Sequence, residues 1–446
     1  MKLQQKNSIL THQHYACSMG AAYSVSAIPG GVPIVNCGPG CIDQQYATMS
    51  FCNGYQGVAG VGSGDIPGTD TSENEIVFGG AKKLDGVIKA ALKIMKGDLF
   101  VVLSGCAPQL VGDDVGTVVK KYRDMGYPIV NAEVPGFKGN NLKGHETVVI
   151  AIIDQFVGES KVRKRKKLVN LWFEEPYFNT FWRGDYAEIK RMLKAAGFDV
   201  NVFFGSESTG VSEWKDIPKA TFNLVVSPWM GLKIAKHLEK KYNQPYLHIP
   251  VIPIGEEATT AFLRKVVEFA KIDSAPSERF ISQEAHRYYY YLEHFSNFFS
   301  EYHFNLPTSF ATVGDAAYNL AVTTFLADQI GLVPVKQIIT DNTPKEYREQ
   351  ILELYHHLSE EVCTDVEFIE DGFIVEEEIE NTDFGTGTPL ILGSSWEQDV
   401  AEKIGGILVE IGTVATEEVV LNRSYIGYNG ALSLLEKIYS ASIGGK

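Results

Sequence analysis

The sequence lacks any apolar stretch long enough to cross a membrane, and this absence excludes one class of protein. No apolar run reaches the roughly 18 residues that a membrane-spanning helix requires. Residues 1–11 are rich in Gln, Lys and Asn and lack the apolar core of a signal peptide. We therefore expect a cytoplasmic protein with no membrane contact, in which thiols stay reduced.

Basic residues are scarce relative to acidic ones. The 446-residue chain carries 40 Lys and Arg against 55 Asp and Glu, a formal net charge of −15. Because a nucleic-acid-binding protein needs a basic surface to displace counterions from phosphates, we predict no nucleic-acid partner. The sequence also lacks G-x-x-x-x-G-K-[ST] and His-Glu-x-x-His, so we expect this chain neither to bind ATP nor to carry that zinc motif.

What the sequence does contain is a regular alternation of apolar runs and amphipathic stretches, which is typical of parallel β-sheets covered by helices. The chain is too long for one ordinary core, and the alternation divides into three sets. We predict an α/β fold of three Rossmann-like domains with mostly parallel sheets. The predicted domains are 1–160, 161–304 (ending in a long helix) and 305–446, and the acidic run Glu376–Glu380 is predicted to be a solvated loop.

Cysteines are few and unevenly distributed. Five of the six lie within the first 106 residues, and the sixth, Cys363, is predicted to be a packed core thiol. Cys41 follows the predicted strand Val32–Val35, and Cys106 follows the predicted strand Leu99–Leu103. Because the carboxyl ends of parallel strands meet at one edge of a sheet, we expect these two thiols to converge.

The thiols near this edge have a setting suited to iron–sulfur chemistry. Thiolate sulfur is a soft ligand for iron, and Gly40 and Gly105 leave room for backbone N–H groups to approach cluster sulfurs. Cys17, Cys41 and Cys106 are spaced too widely for ferredoxin or zinc-knuckle motifs. From the residues alone, a cluster and a set of buried structural thiols are equal alternatives.

A series of short motifs extends over nearly the whole chain. In the first third they are Tyr15-Ala16-Cys17, Gly38-Pro39-Gly40-Cys41, Ile76-Val77-Phe78-Gly79-Gly80, Ser104-Gly105-Cys106, Val111-Gly112-Asp113-Asp114 and Pro135-Gly136-Phe137-Lys138-Gly139. Further on they are Ser227-Pro228-Trp229, Ile252-Pro253-Ile254-Gly255, Phe262-Leu263-Arg264, Gly393-Ser394-Ser395 and Arg423-Ser424-Tyr425-Ile426-Gly427-Tyr428-Asn429-Gly430-Ala431. In combination, order and spacing they resemble the nitrogenase component 1 family, and the last resembles its β-type chains.

The resemblance implies the β-like subunit of a two-component reductase. In this family an iron–sulfur cluster lies between an α-like and a β-like chain, and the matching ligands here are Cys17, Cys41 and Cys106. The implied partners are an α-like component 1 chain, in an α₂β₂ assembly, and an ATP-dependent iron protein that supplies electrons. Phe78 matches a phenylalanine at the docking surface for that iron protein, whereas a core aromatic is the alternative interpretation.

Two departures from the family pattern concern the cofactors. Gly136 stands where β-type chains often have a serine beside the cluster, so an eight-iron P-cluster-like group and a four-iron four-sulfur cluster both remain open. The segment Val226–Trp229 has no thiol where α-type chains bind their large cofactor, and no histidine follows His357. The large cofactor is therefore expected in the partner chain, and no catalytic residue is assigned to this one.

Two further thiols lie close to the ligand region in sequence. Cys37 and Cys52 are possible extra ligands, but packed thiols are the favoured interpretation, since Cys37 closes an apolar strand and is expected to alternate away from Cys41. The resemblance also leaves function partly open. A scaffold for nitrogenase cofactor assembly and one chain of a tetrapyrrole reductase are the alternatives, and the substrate can be dinitrogen or another small molecule such as an alkyl thioether.

Overall fold

Three β-sheets with helices packed on them form the part of the chain that the computed structural model describes. That part comprises residues 14–51, 54, 66–159, 161–302, 306–356, 358 and 364–444. Cys52 and Cys363 lie outside the described residues, so their predicted roles stay predictions. Every pairing between the strands named below is parallel.

The first sheet has three strands in the order β1-β2-β3. Its elements are α1 (Ala21–Ala27), β1 (Gly31–Asn36), α2 (Pro39–Phe51), α3 (Glu73–Phe78), α4 (Ala81–Ile94), β2 (Leu99–Ser104), α5 (Cys106–Val111), α6 (Val115–Asp124), β3 (Ile129–Glu133) and α7 (Asn141–Ile152). All of β2 is buried, as expected for an apolar strand between two others with helices on both faces. The pairing places Asn36 at the end of β1 opposite Ser104 at the end of β2, so the residues that follow lie side by side.

The second sheet has four strands in the order β5-β4-β6-β7. Its elements are β4 (Leu168–Trp172), α8 (Trp182–Ala195), β5 (Asp199–Asn201), α9 (Val211–Asp216), β6 (Phe222–Val226), α10 (Leu232–Tyr242), β7 (Tyr246–Ile249), α11 (Gly255–Ala270) and α12 (Ala275–Tyr302). The central strands β4 and β6 are buried throughout. The predicted long helix is therefore confirmed as α12, which packs against α17, the last helix of the chain (Gly427–Gly444).

The third sheet has five strands in the order β10-β9-β8-β11-β12. Its elements are β8 (Ser309–Gly314), α13 (Ala316–Thr324), β9 (Val333–Ile339), α14 (Lys345–His356), β10 (Asp365–Phe368), α15 (Gly372–Glu380), β11 (Leu390–Gly393), α16 (Gln398–Lys403), β12 (Ile407–Glu410) and α17. The prediction of a loop at Glu376–Glu380 is wrong, because these residues belong to α15. Val375 and Ile379 are four residues apart on that helix and are buried, which fixes the segment as an amphipathic helix.

The three sheets share one continuous core. Its largest buried cluster extends from Met19 beside the first sheet, through Trp172 in the second, to Leu392 in the third. The predicted α/β class with mostly parallel sheets is confirmed, whereas the predicted domain boundaries stay predictions. None of the helices in the described residues combines the length and the apolar content that crossing a bilayer would take.

Candidate functional site

Three cysteines lie at the carboxyl edge of the first sheet because of how its strands end. Cys37 follows β1 directly, Cys41 lies in the first turn of α2, and Cys106 is the first residue of α5, two residues after β2. The backbone N–H of Gly105 donates to the carbonyl of Asn36 at 3.0 Å, which joins the two strand ends. The expected convergence of Cys41 and Cys106 at one sheet edge follows from this connection.

Cys17 reaches the same edge from outside the sheet. It precedes a short 3₁₀ turn, Ser18–Gly20, and forms an isolated antiparallel bridge with Asn140. The N–H of Ser18 donates to the carbonyl of Gly139 at 3.0 Å. These bonds hold Cys17 against the 3₁₀ turn Gly136–Lys138, which follows β3.

The sulfur atoms lie close together. The thiol of Cys41 donates to the sulfur of Cys37 at 3.3 Å, and the N–H of Gly136 donates to the Cys106 sulfur at 3.1 Å. A Cβ atom at Gly136 would lie 3.5 Å from the Cys106 sulfur and 3.6 Å from that of Cys17. We refer to Cys17, Cys37, Cys41 and Cys106 together as the thiol edge.

The orientation expected for Cys37 is wrong. Its sulfur contacts that of Cys41 instead of pointing away from it, because α2 begins at Pro39 and its first turn brings Cys41 back beside Cys37. Cys37 is also the most deeply placed of the four, at 4% exposure, and a Cβ atom at Gly105 would lie only 2.5 Å from its sulfur. Whether Cys37 is a ligand stays a prediction.

The four thiols influence one another's protonation. The hydrogen bond from Cys41 lowers the pKa of Cys37 to about 6, and the same bond raises the pKa of Cys41. Burial raises the pKa of the Cys17 thiol, and the nearby Cys106 and Cys37 raise it further. Several thiolates at this edge therefore repel one another unless a positively charged centre is bound among them.

The thiol edge has an open side. Cys17, Cys41 and Cys106 are half-buried, and a Cβ atom at Gly40 would meet nothing within 4 Å. A cavity of about 330 Å³ opens beside Cys17 and Gly136; of the four cysteines, only Cys17 lines it. In the described part of the chain no group of three or more His, Cys, Asp or Glu side chains is arranged to hold a single metal ion. The soft donor set, the open face and the nearby N–H group fit an iron–sulfur cluster.

Phe78 lies on an exposed apolar patch of the first domain. The helix α3 starts with a capping box between Ser72 and Glu75 and ends at Phe78, which is 85% exposed. Val77 on the same helix and Leu110 on the adjoining α5 are 71% and 74% exposed. We call these three residues the apolar patch; the alternative of a core aromatic at Phe78 is wrong.

A second cavity is lined by residues to which the sequence alone assigned no role. It lies where the carboxyl ends of strands from the second and third sheets meet residues of the first domain, and its volume is about 50 Å³. We call it the acidic cavity; its principal lining residues are Tyr15, Glu174, Glu175, Trp229, Asp315 and Asp341. The available signal was that Glu174, Asp315 and Asp341 each come one or two residues after a buried strand.

Burial dominates the electrostatics of this cavity. It raises the pKa of Glu174 and Glu175 well above their ordinary range, and it raises that of Asp315 to about 6. The neighbouring carboxyls Asp185 and Asp315 raise the pKa of Glu174 further. Ser227 and Trp229, from the segment Val226–Trp229 in which the resemblance leads us to expect a cofactor thiol in α-type chains, also line this cavity, and no cysteine is among the described residues around it.

Comparison with known proteins assigns the chain to a family. The model of the nitrogenase component 1 type oxidoreductases matches residues 16–442. The chain is 25% identical to the nitrogenase molybdenum-iron protein beta chain of Methanococcus maripaludis, over 97% of this chain and 93% of that one. It is 24% identical to a light-independent protochlorophyllide reductase chain of Leptolyngbya boryana, over 77% and 67%. A solved structure of nitrogenase Cp1 at pH 6.5 superposes with a TM-score of 0.81 at 18% identity, covering 99% and 95% of the chains, which shows the shared fold.

Proposed function

Since this chain belongs to the nitrogenase component 1 type oxidoreductases, we propose that it is the β-like subunit of a two-component reductase. In this proposal an iron–sulfur cluster bound at the thiol edge relays electrons from an ATP-dependent iron protein to an active-site cofactor in an α-like partner chain. The observation that carries the proposal is the meeting of Cys17, Cys41 and Cys106 at one open sheet edge.

In this proposal the cysteines of the thiol edge and Gly136 have different roles. Cys17, Cys41 and Cys106 hold the cluster, which when bound supplies one-electron redox capacity. The N–H of Gly136, already 3.1 Å from the Cys106 sulfur, stabilises the thiolate charge and so tunes the potential. With no serine at Gly136, an oxygen ligand from this position is missing, and both the eight-iron and the four-iron cluster remain candidates.

The half-exposed state of the thiols supports a shared cluster. Three cysteines would leave iron facing solvent, whereas a second chain that supplies further ligands would close the site. Phe137 in the turn beside Cys17 is 58% exposed, so apolar surface adjoins the open face. Exposed apolar surface at such a place is typical of a permanent subunit interface.

The apolar patch is proposed as the docking surface of the iron protein. Asp113 fixes its position, since both carboxylate oxygens accept the N–H of Gly80, at 2.9 and 3.1 Å, and this joins α3–α4 to the α5–α6 loop. Phe78→Ala should lower reductase-dependent turnover about tenfold with iron content and thermal stability unchanged, because an 85% exposed side chain adds little to the fold. Ile94→Ala, at 77% exposure on α4, is the matched control; equal losses in both variants would reject a specific role for Phe78.

The second candidate is one chain of a tetrapyrrole reductase. The specific observations that favour it are the similarity to a light-independent protochlorophyllide reductase chain and the glycine at position 136. A scaffold for cofactor assembly is a third candidate with the same thiol set. These candidates differ in the partner chain and in turnover, so reduction assays with the complete complex separate them.

The decisive experiment concerns assembly. The chain is purified anaerobically with and without its α-like partner, and each sample is analysed by light scattering, iron counting and electron paramagnetic resonance. We expect little or unstable iron on the chain alone, and a stable α₂β₂ complex with a shared cluster when the partner is present. A monodisperse single-chain species with a full, oxygen-stable cluster would reject the β-subunit proposal in favour of a homomeric reductase.

A further inference from the structure

The carboxyl groups around the acidic cavity differ in how many hydrogen bonds their oxygens accept. Asp341 accepts from the indole N–H of Trp229 at 2.9 Å, from the N–H of Ala316 at 3.1 Å and from the hydroxyl of Thr343. Asp315 caps α13 and accepts two of its backbone N–H groups, at 2.9 and 2.8 Å. The hydrogen bonds that these two buried carboxyls require are therefore supplied by the fold itself.

The fold does not supply the same hydrogen bonds to Glu174 and Glu175. No N–H or hydroxyl group of the described residues donates to either oxygen of Glu174 or to one oxygen of Glu175, and the other oxygen of Glu175 accepts from the side-chain amide of Asn141. The carboxyls of Glu174 and Asp185 share a side-chain hydrogen bond with a proton held between them, so one Glu174 oxygen is paired and the other is not. The exposures of the two glutamates are only 9% and 2%. Burying unsatisfied carboxyl oxygens is costly, so the two that remain in this cavity, one on each glutamate, indicate a missing binding partner.

The lining of the cavity defines the chemistry of that partner. The described residues around it include four acidic side chains and no lysine or arginine to compensate them, so a positively charged partner would stabilise the ionised form of the buried glutamates. The walls are aromatic, formed by Tyr15, Phe178 and Trp229, and aromatic faces attract organic cations. Since no group of acidic or other ligand side chains in the described residues is arranged to hold a metal ion, an organic cation fits better than a divalent metal.

From these observations we propose that the acidic cavity is a binding site for a small ammonium-type cation, held by Glu174 and Glu175 against the aromatic walls. The volume of about 50 Å³ suits a group of a few atoms. Tyr15 lines both this cavity and the one beside Cys17, so the site lies one side chain away from the thiol edge. The inference does not depend on the proposed reductase function, because it concerns residues that are not part of the thiol edge.

Methylammonium is a suitable probe because it is the smallest organic ammonium ion. Its binding to the full chain is measured by equilibrium dialysis of the radiolabelled ion in a fixed excess of NaCl, and by saturation-transfer NMR. We expect one saturable site per chain with a dissociation constant in the millimolar range, since a ligand of two heavy atoms has little binding energy. Glu174→Gln, which keeps the shape and removes the charge, should weaken binding at least about tenfold.

Two further variants keep the test decisive. Glu146→Gln removes another buried carboxyl that does not line the cavity and should bind methylammonium like the parent chain. Ala317→Leu fills the cavity without changing a carboxyl and should abolish binding, so it answers the question if Glu174→Gln fails to fold. The proposal is overturned if no saturable binding occurs, if the folded Glu174→Gln or Ala317→Leu variant binds like the parent, or if Mn²⁺ binds there and displaces methylammonium.

Discussion

The thiol edge and the acidic cavity occupy equivalent places in the fold, but the thiol edge is open on one side and the acidic cavity is enclosed. Both collect side chains that follow buried parallel strands, Cys37 and Cys106 in one case and Glu174 and Asp315 in the other. The thiol edge belongs to one sheet and has an open face with half-buried sulfurs. The acidic cavity lies between sheets, and its carboxyls are at most 9% exposed except for Asp315, which is partly exposed.

The difference indicates which site needs a second chain. A parallel sheet places its loops at one edge, and that edge stays open unless another layer covers it. In the second and third sheets the edges cover each other, with Tyr15 and Leu142 of the first domain completing the wall. The edge of the first sheet has no such cover in the described residues beyond the segment of Cys17, so in our proposal the α-like partner supplies it.

The largest expected effect is a loss of iron, which should occur in variants of the thiol edge and not in a variant of the acidic cavity. Cys17→Ala, Cys41→Ala and Cys106→Ala should each lower the iron of the complex at least about tenfold, because each removes a direct ligand and even supporting residues are worth roughly 10–100-fold in metal affinity. Glu174→Gln should keep its iron. Full iron in all three cysteine variants would reject the cluster assignment, and loss of iron in Glu174→Gln would mean that the two sites are not independent. Cys37→Ala decides separately whether Cys37 is a fourth ligand.

The next effect concerns the pH dependence of stability at the acidic cavity. Burial raises the pKa of Asp315 from its ordinary 3.8 to about 6, and the neighbouring Asp341 carboxyl contributes. A raised carboxyl pKa stabilises the fold below about pH 4, and this stabilisation is lost as the pH rises to about 6. Asp315→Asn keeps the helix cap and removes the titration, so its free energy of unfolding relative to the parent should rise by about 2 kcal/mol between pH 4 and pH 7.

Urea unfolding across this pH range measures that effect, and Asp85→Asn is the control. The hydrogen bond from Lys121 lowers the pKa of Asp85, so its contribution has the opposite sign and is present only above the ordinary carboxyl pKa. The Asp85 side chain is partly exposed, so its effect should be small. Parallel pH profiles for the parent and Asp315→Asn would show that Asp315 does not titrate as its burial implies.

The thiol edge was largely predictable from the sequence, and the acidic cavity was not. Buried apolar runs locate β1 and β2, and the rule that parallel strands end at one edge then brings Cys41 and Cys106 together. The contact between Cys37 and Cys41 depends on α2 beginning only two residues after Cys37, which strand alternation alone does not reveal. Resemblance, and not spacing, supplied Cys17, because its approach depends on hydrogen bonds to residues more than a hundred positions away.

The acidic cavity depends on how separate sheets pack, which local patterns do not encode. Glu174 and Asp315 are far apart in sequence, and acidic residues are usually exposed, so nothing local predicts that they share a buried space. A similar limit applies to α15, where the acidic composition suggested a loop. There the segment is a helix for two reasons. Val375 and Ile379 have the apolar spacing of a helix, and the Asp371 side chain caps the helix by accepting the N–H of Phe373.

The smallest expected effect tests how tightly the thiol edge is packed on its inner side compared with its open side. A Cβ atom at Gly105 would lie 2.5 Å from the Cys37 sulfur and 2.8 Å from the Cε of Met19, both in the buried core. Gly105→Ala should therefore lower the free energy of unfolding by about 1–3 kcal/mol, as overpacking does. Gly40→Ala is the matched control next to Cys41, where a Cβ atom meets nothing within 4 Å, and it should be neutral or stabilising by up to about 1 kcal/mol because it lies in α2. Chemical unfolding of the chain without its partner measures both; equal losses in the two variants would mean that the edge is closed on both sides, and the contrast with the acidic cavity would then be wrong.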